Sequence, residues 1–255
     1  MNDSAISTAR QALACLDLTS LNDADDAAAV DALCKRAVTP HGNVAAVCVW
    51  PRFVAQARKA LPASVAVAAV ANFPAGALDV DLALTDSAAI ASAGGNEIDV
   101  VFPWRAWASG QVLQCAALVR TVRRAHAGLR LKLILETGEL VDDVLIAGAA
   151  RMALTEGVDF VKTSTGKTPV SATPAAAGIL LAVIAVHPRR AEAGFKASGG
   201  IRTVVEAGVY IELVRGALGS VGPHNFRLGA SSLLDDILAT LDGRKPDARL
   251  AAGRY

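Results

Sequence analysis

Aromatic residues make up only 4% of the 255 positions. No apolar run approaches the roughly 20 residues a helix needs to cross a bilayer, so the most apolar stretch, Ala175 to Val186, reads as a buried helix or strand. Neither sign of charge is in excess, because 25 Lys and Arg stand against 24 Asp and Glu. That balance argues against nucleic acid or an anionic membrane as the main partner and favours small-molecule chemistry. Cys15, Cys34, Cys48 and Cys115 include no C-x-x-C pair, so neither a zinc ribbon nor a dithiol motif is indicated. His41, His126, His187 and His224 are equally scattered, and no metal site is expected. The opening MNDSAISTAR lacks a basic segment followed by an apolar one, so a cytoplasmic protein with reduced thiols is the expectation.

What the chain does have is alanine and valine, which carry much of its 53% apolar content. Short β-branched runs alternate with longer alanine-rich stretches. The runs at 16–19, 43–49, 65–72, 97–102, 130–136, 159–163, 194–196 and 226–229 read as strands. Stretches at 81–94, 111–128 and 141–157 read as helices, the last two closing on glycine. Eight such repeats predict an α/β fold: one domain over 1–255, a closed (β/α)8 TIM barrel with an N-terminal helical extension and a flexible polar tail at about 242–255. A doubly wound open sheet is the rival, but its usual G-x-G-x-x-G loop is absent.

Strand alternation then assigns faces. Leu131, Leu133 and Leu135 should meet the outer helices, which turns Lys132 and Glu136 inward. By the same rule Asp99 opposes Ile98 and Val100, and Lys162 opposes Val161 and Thr163. Barrel enzymes react at the C-terminal ends of their strands, and Asp17, Asp99, Lys162 and Lys196 all map in or near such ends. A neutral lysine can attack a carbonyl and form a Schiff base, an electron sink for breaking the neighbouring carbon–carbon bond. Moving its pKa from about 10.4 to about 7 requires about 4 to 5 kcal/mol. A second ammonium about 4 Å away, expected from Lys196, supplies about 4 kcal/mol at an effective dielectric near 20, and burial adds to it. Ion pairing of Lys162 and Lys196 with Asp99 and Glu136, without chemistry, is an equally open reading at this point.

A second constellation suits an anion. SGGIR at 198–202 and LGASS at 228–232 follow the last two strands, so Gly199, Gly200, Gly229, Ser231 and Ser232 offer donors, while Lys167 and Arg202 add charge. Turn-making and helix capping are the plainer uses of the same residues. The GKT at 166–168 is no P-loop, since Val161 stands where the first glycine would be.

Taken together, DVVFP at 99–103, FVKTSTGK at 160–167, GFKASGGIRT at 194–203 and RLGASSL at 227–233 closely resemble the deoxyribose-phosphate aldolases, a family of class I aldolases. The resemblance runs from LDLTSLN at 16–22 to Tyr255. It implies that Lys162 forms the Schiff base, that Lys196 perturbs it, and that Asp99 serves a proton relay. Asp17, Thr19, Lys132, Thr165 and Gly166 match pocket positions, Lys167 is the residue expected to steady phosphate, and Tyr255 matches a terminal tyrosine that folds over the site in part of the family. The implied reaction is reversible cleavage of 2-deoxy-D-ribose 5-phosphate to acetaldehyde and D-glyceraldehyde 3-phosphate, with no metal or organic cofactor. Its partners would be the phosphorylated deoxy sugar and aldehydes, with a homodimer as a compatible assembly. Another Schiff-base sugar-phosphate aldolase and a non-catalytic sugar-phosphate sensor are the alternatives.

Overall fold

A computed structural model describes residues 3–244; Tyr255 and the tail from 245 lie outside the described residues. The eight barrel strands are β1 (Leu16–Thr19), β2 (Ala46–Val49), β3 (Ala66–Ala71), β4 (Glu97–Val101), β5 (Arg130–Ile134), β6 (Phe160–Lys162), β7 (Gly194–Ser198) and β8 (Phe226–Ala230). All pair in parallel, each with its neighbours in sequence, and β1 joins β8 to close the barrel. The expected strands are therefore all present. The second begins three residues later than expected, because Gly42–Asn43 pairs instead with Val38–Thr39 in a small antiparallel ribbon.

The helices are α1 (Asp3–Ala14), α2 (Ala27–Arg36), α3 (Val54–Ala60), α4 (Val80–Ser92), α5 (Trp104–Ala108), α6 (Val112–Ala125), α7 (Thr137–Leu140), α8 (Asp143–Thr155), α9 (Pro174–Val186), α10 (Val204–Leu218) and α11 (Leu233–Leu241). Side chains set several of their starts: Asp26, Asp79, Asp142 and Thr173 each accept a backbone N–H in the first turn of α2, α4, α8 and α9. Thr203 and Glu206 close a reciprocal capping box on α10. The N-terminal extension is α1, whose buried Ala9, Ala12 and Leu13 pack toward α10 and α11. The apolar run from Ala175 to Val186 is α9, and no helix among the described residues is long and apolar enough to cross a membrane.

Alternation separates two environments along the same strands. Val47, Val49, Val67, Ala69, Leu131, Leu133, Leu135, Val161, Phe195 and Leu228 join the continuous apolar layer between barrel and helices. Their sequence neighbours face inward, and there the strands differ. β2 and β3 contribute Cys48, Ala68 and Val70 to a small apolar cluster with Leu21, flanked by Trp50 and Phe73. β1 and β4 to β8 contribute charged groups.

Candidate active site

Seven ionisable side chains meet inside the barrel: Asp17, Glu97, Asp99, Lys132, Lys162, Lys196 and Arg227, all buried. Strand register explains the meeting, since Asp99 pairs with Lys132 across β4 and β5, and Lys162 with Lys196 across β6 and β7. Only Lys162 ends its strand. Asp17, Asp99 and Lys196 sit mid-strand, deeper than the rim position expected for them.

Lys196 Nζ donates to Asp17 Oδ2 at 2.6 Å and to Asp99 Oδ2 at 2.8 Å. Lys162 Nζ donates to that same Asp99 Oδ2 at 2.9 Å. The two amines therefore share one carboxylate oxygen and one compartment. Lys132 occupies the other oxygen, Asp99 Oδ1, at 2.7 Å and also pairs with Glu97 at 2.6 Å.

The two neighbouring amines are pushed in opposite directions. Burial is the main force lowering the Lys162 pKa; Asp99 opposes it and the Lys196 ammonium adds to it. For Lys196 burial acts in the same sense, but Asp17 and Asp99 more than reverse it and hold the ammonium charged. Sequence reasoning ranked these causes the other way, with Lys196 first, because the complete burial of Lys162 depends on the closed barrel. Burial alone would raise the Asp99 carboxyl, yet Lys132, Lys162 and Lys196 hold it well below the usual carboxylate range. Half of the ion-pair reading is also present, since Asp99 does pair with both lysines. Glu136 does not: it lies beyond β5 in a left-handed conformation (φ 55°) and accepts from Thr165 Oγ1 at 2.5 Å, from the Thr165 N–H at 3.2 Å and from Thr168 Oγ1 at 3.2 Å.

Above the lysines, the loops after β6 and β7 enclose a cleft of about 570 Å3. Gly166, Lys167, Gly199, Gly200 and Arg202 all line it, with Ser171 between them. Gly166, Gly199 and Gly200 have φ of 82°, 84° and 81°, and a Cβ on Gly199 would come within 2.5 Å of Ser171 Oγ. Thr165 shapes this loop, its hydroxyl accepting from the Lys167 N–H at 3.0 Å. Ser231 and Ser232, at the entry to α11, lie outside the cleft lining, as does Gly229. Gly229 packs where a Cβ would approach Lys196 Cε at 3.0 Å, and its carbonyl accepts the Gly199 N–H at 3.2 Å. Thr19 turns its hydroxyl onto the Asp17 carbonyl at 2.9 Å.

The family model for DeoC/LacD family aldolase matches residues 11–238, nearly the whole described chain. The chain belongs to that family. A curated deoxyribose-phosphate aldolase of Agrobacterium fabrum is 44% identical over 246 residues, covering 94% of each chain. Among solved structures, a protein of Toxoplasma gondii provisionally described as a deoxyribose-phosphate aldolase superposes with a TM-score of 0.85 at 25% identity, over 97% of this chain and 98% of that one. Another of the same description, from Coccidioides immitis, gives 0.79 at 28% identity over 89% and 86%.

Two charged residues of this aldolase's interior were missed in the sequence, Glu97 and Arg227. Arg227 donates to Asp17 Oδ1 at 2.6 Å and to Glu97 Oε1 at 2.8 Å. The signal was available: Glu97 stands two positions before Asp99, and Arg227 two before Gly229, so alternation puts each on the inward face. Among the described residues no group of His, Cys, Asp and Glu has the arrangement to hold a metal ion.

Proposed function

We propose that the chain is a class I deoxyribose-phosphate aldolase whose nucleophile is Lys162. The observation that carries this reading is the pair of in-register lysines on one carboxylate oxygen, of which Lys162 alone is pushed toward the neutral amine. Its Nζ attacks C1 of open-chain 2-deoxy-D-ribose 5-phosphate, and loss of water gives an iminium. As the C3 hydroxyl proton leaves, the C2–C3 bond breaks and its electron pair moves into the iminium, releasing D-glyceraldehyde 3-phosphate and leaving an enamine. Protonation at C2 and hydrolysis then free acetaldehyde and regenerate the amine. Asp99 and the charged Lys196 are the groups placed to relay those protons, with Asp17 and Lys132 holding them by the contacts given above.

The cleft between the β6 and β7 loops suits the phosphate, with Lys167 and Arg202 as its cations and the glycine turns allowing close approach. The Agrobacterium relative, named for the same activity, supports the choice of substrate. Four buried free thiols suit a reducing cytoplasm, and exposed Val144 and Val186 on α8 and α9 offer apolar surface to a homodimer.

Borohydride added during turnover should fix the substrate carbon on Lys162, located by peptide mass mapping. Active enzyme that is never trapped would remove the Schiff base from the reading. Cleavage of deoxyribose 5-phosphate, followed through glyceraldehyde 3-phosphate, should far exceed that of unphosphorylated deoxyribose, whereas tight sugar-phosphate binding without cleavage would favour a sensor.

A further inference from the structure

Counting the sealed charges of the barrel shows why one amine is left over. Three carboxylates, Asp17, Glu97 and Asp99, have side chains at most 2% exposed. Against them stand Lys132, Lys196 and Arg227, at most 3% exposed. Each of these three cations bonds at least two carboxylates: Lys132 holds Glu97 and Asp99 and lies 3.5 Å from Asp17, Lys196 holds Asp17 and Asp99, and Arg227 holds Asp17 and Glu97. The ring is complete and neutral without Lys162, which reaches only Asp99, at an oxygen already taken by Lys196. A proton on Lys162 would add a fourth positive charge to a ring of three carboxylates, since the remaining buried carboxyl within its field, Glu136, is pushed toward its neutral form by burial and is bonded to Thr165 and Thr168; such a charge is costly in a low-dielectric interior.

We propose that Glu97 and Arg227, at the floor of the barrel, are positioning residues that set the charge of the nucleophile: through Asp17 and Asp99 they fix how many protons the interior holds and leave Lys162 as its uncharged amine. The inference rests on the reading of Lys162 as the reacting group. The groups facing Lys162 from each packed element are Asp99 on β4, Lys196 on β7 and the Cys48 thiol on β2, with Glu136 beyond β5 turned toward the Thr165 and Thr168 hydroxyls. The groups facing the floor are Lys132, Asp17 and Arg130, whose Nη1 meets Glu97 Oε1 at 2.7 Å. Arg130 is 38% exposed at the lower mouth, so solvent screens its charge and it does not count fully in the ring.

The test is the titration of Lys162 Nζ in full-length protein labelled with 15N at lysine Nζ, its resonance identified by its loss in Lys162→Met. Arg227→Met should raise the midpoint by about one pH unit, the effect of a unit charge across roughly 10 Å at a dielectric near 20. Glu97→Gln should lower it, and the double variant should return it close to the wild-type value. The acid limb of kcat/KM should move with the same signs, and Arg227→Lys should restore it. Midpoints that stay in place while the rate falls, or that move the same way in both single variants, would show these residues to be scaffold only. Should Arg227→Met fail to fold, the isosteric Glu97→Gln still decides, since an unchanged or raised midpoint overturns the proposal. If Lys162 titrates with the expected signs yet is never trapped by borohydride in the wild type, the charge ring stands and the aldolase reading falls.

Discussion

The two walls of the barrel interior differ in kind. β2 and β3 offer Cys48, Ala68 and Val70, which can form no ion pair, while β1 and β4 to β8 offer a closed ring of buried charges. Lys162 lies between them, bonded to the charged wall through Asp99 and sharing its interior with the Cys48 thiol of the other. Neither wall alone would make a nucleophile. An all-apolar interior would have nothing to move protons, and an all-charged one would keep every lysine protonated. The contrast teaches that the two amines are told apart by a shortage, on which the proposed role of Lys162 rests: Lys196 has two carboxylates and stays charged, whereas Lys162 has a share of one.

The strongest way to break this contrast is Lys162→Met. Turnover should fall by about 10⁴-fold or more, while thermal stability should hold or rise, because Asp99 retains Lys132 and Lys196 and an apolar chain of similar length replaces a desolvated amine. Calorimetry beside the activity assay checks both halves; a collapsed fold would mean that Lys162 supports the ring. Lys196→Met should do the opposite to stability. It leaves two buried carboxylates short of a partner and should cost about 3–5 kcal/mol in urea unfolding. Surviving activity should need a higher pH, since Asp99 would then draw a proton onto Lys162.

Acid probes the charged wall as a whole. Burial works against ionisation of Asp17, Glu97 and Asp99, yet their cations hold all three below the ordinary range. Unfolded Asp and Glu titrate near about 4, so the stability these carboxylates lend is complete above about pH 5 and is lost as pH falls through their lowered folded values. Lys162 carries the same sign at the alkaline end: its folded pKa lies below the unfolded value of about 10.4, so stability declines as pH drops through that interval. Urea midpoints across pH should show both slopes, and a flat acid side would contradict the ring. The smallest effect belongs to the apolar wall. Cys48→Ala removes a group that favours the charged amine, so the Lys162 midpoint should fall, by less than about one pH unit; a raised midpoint would show that the thiol instead disfavours the ammonium.

Much of the fold was open to sequence reading because the strand period is strict. Leu131, Leu133 and Leu135 face the helices as alternation requires, and Lys132 falls inward with them in register. The same rule turned Asp99 and Lys162 inward, Lys196 was placed by its position near a strand end, and Glu97 and Arg227 passed unnoticed although they obey the rule, being masked by neighbours with louder motifs. The phosphate-side expectation was less complete. Gly229 and the serines at 231 and 232 share a glycine- and serine-rich pattern with Gly199 and Gly200, but only the path of the loops after β6 and β7 decides which of them face the cleft. Glu136 shows the same limit. The strand read at 130–136 put Glu136 inward at its end, whereas β5 stops at Ile134 and packing gives Glu136 a left-handed backbone and a turn toward Thr165.

Residue types and their spacing gave by themselves the eight strands, with a closed barrel preferred to an open sheet, and turned lysines and carboxylates toward one side, because a period of two leaves a side chain only an inside and an outside. Which amine is pushed toward losing its proton was decided by the closed barrel. Charge state depends on how many opposite charges lie within a few ångströms and on how much water is kept out, and both are properties of distances that no single strand contains.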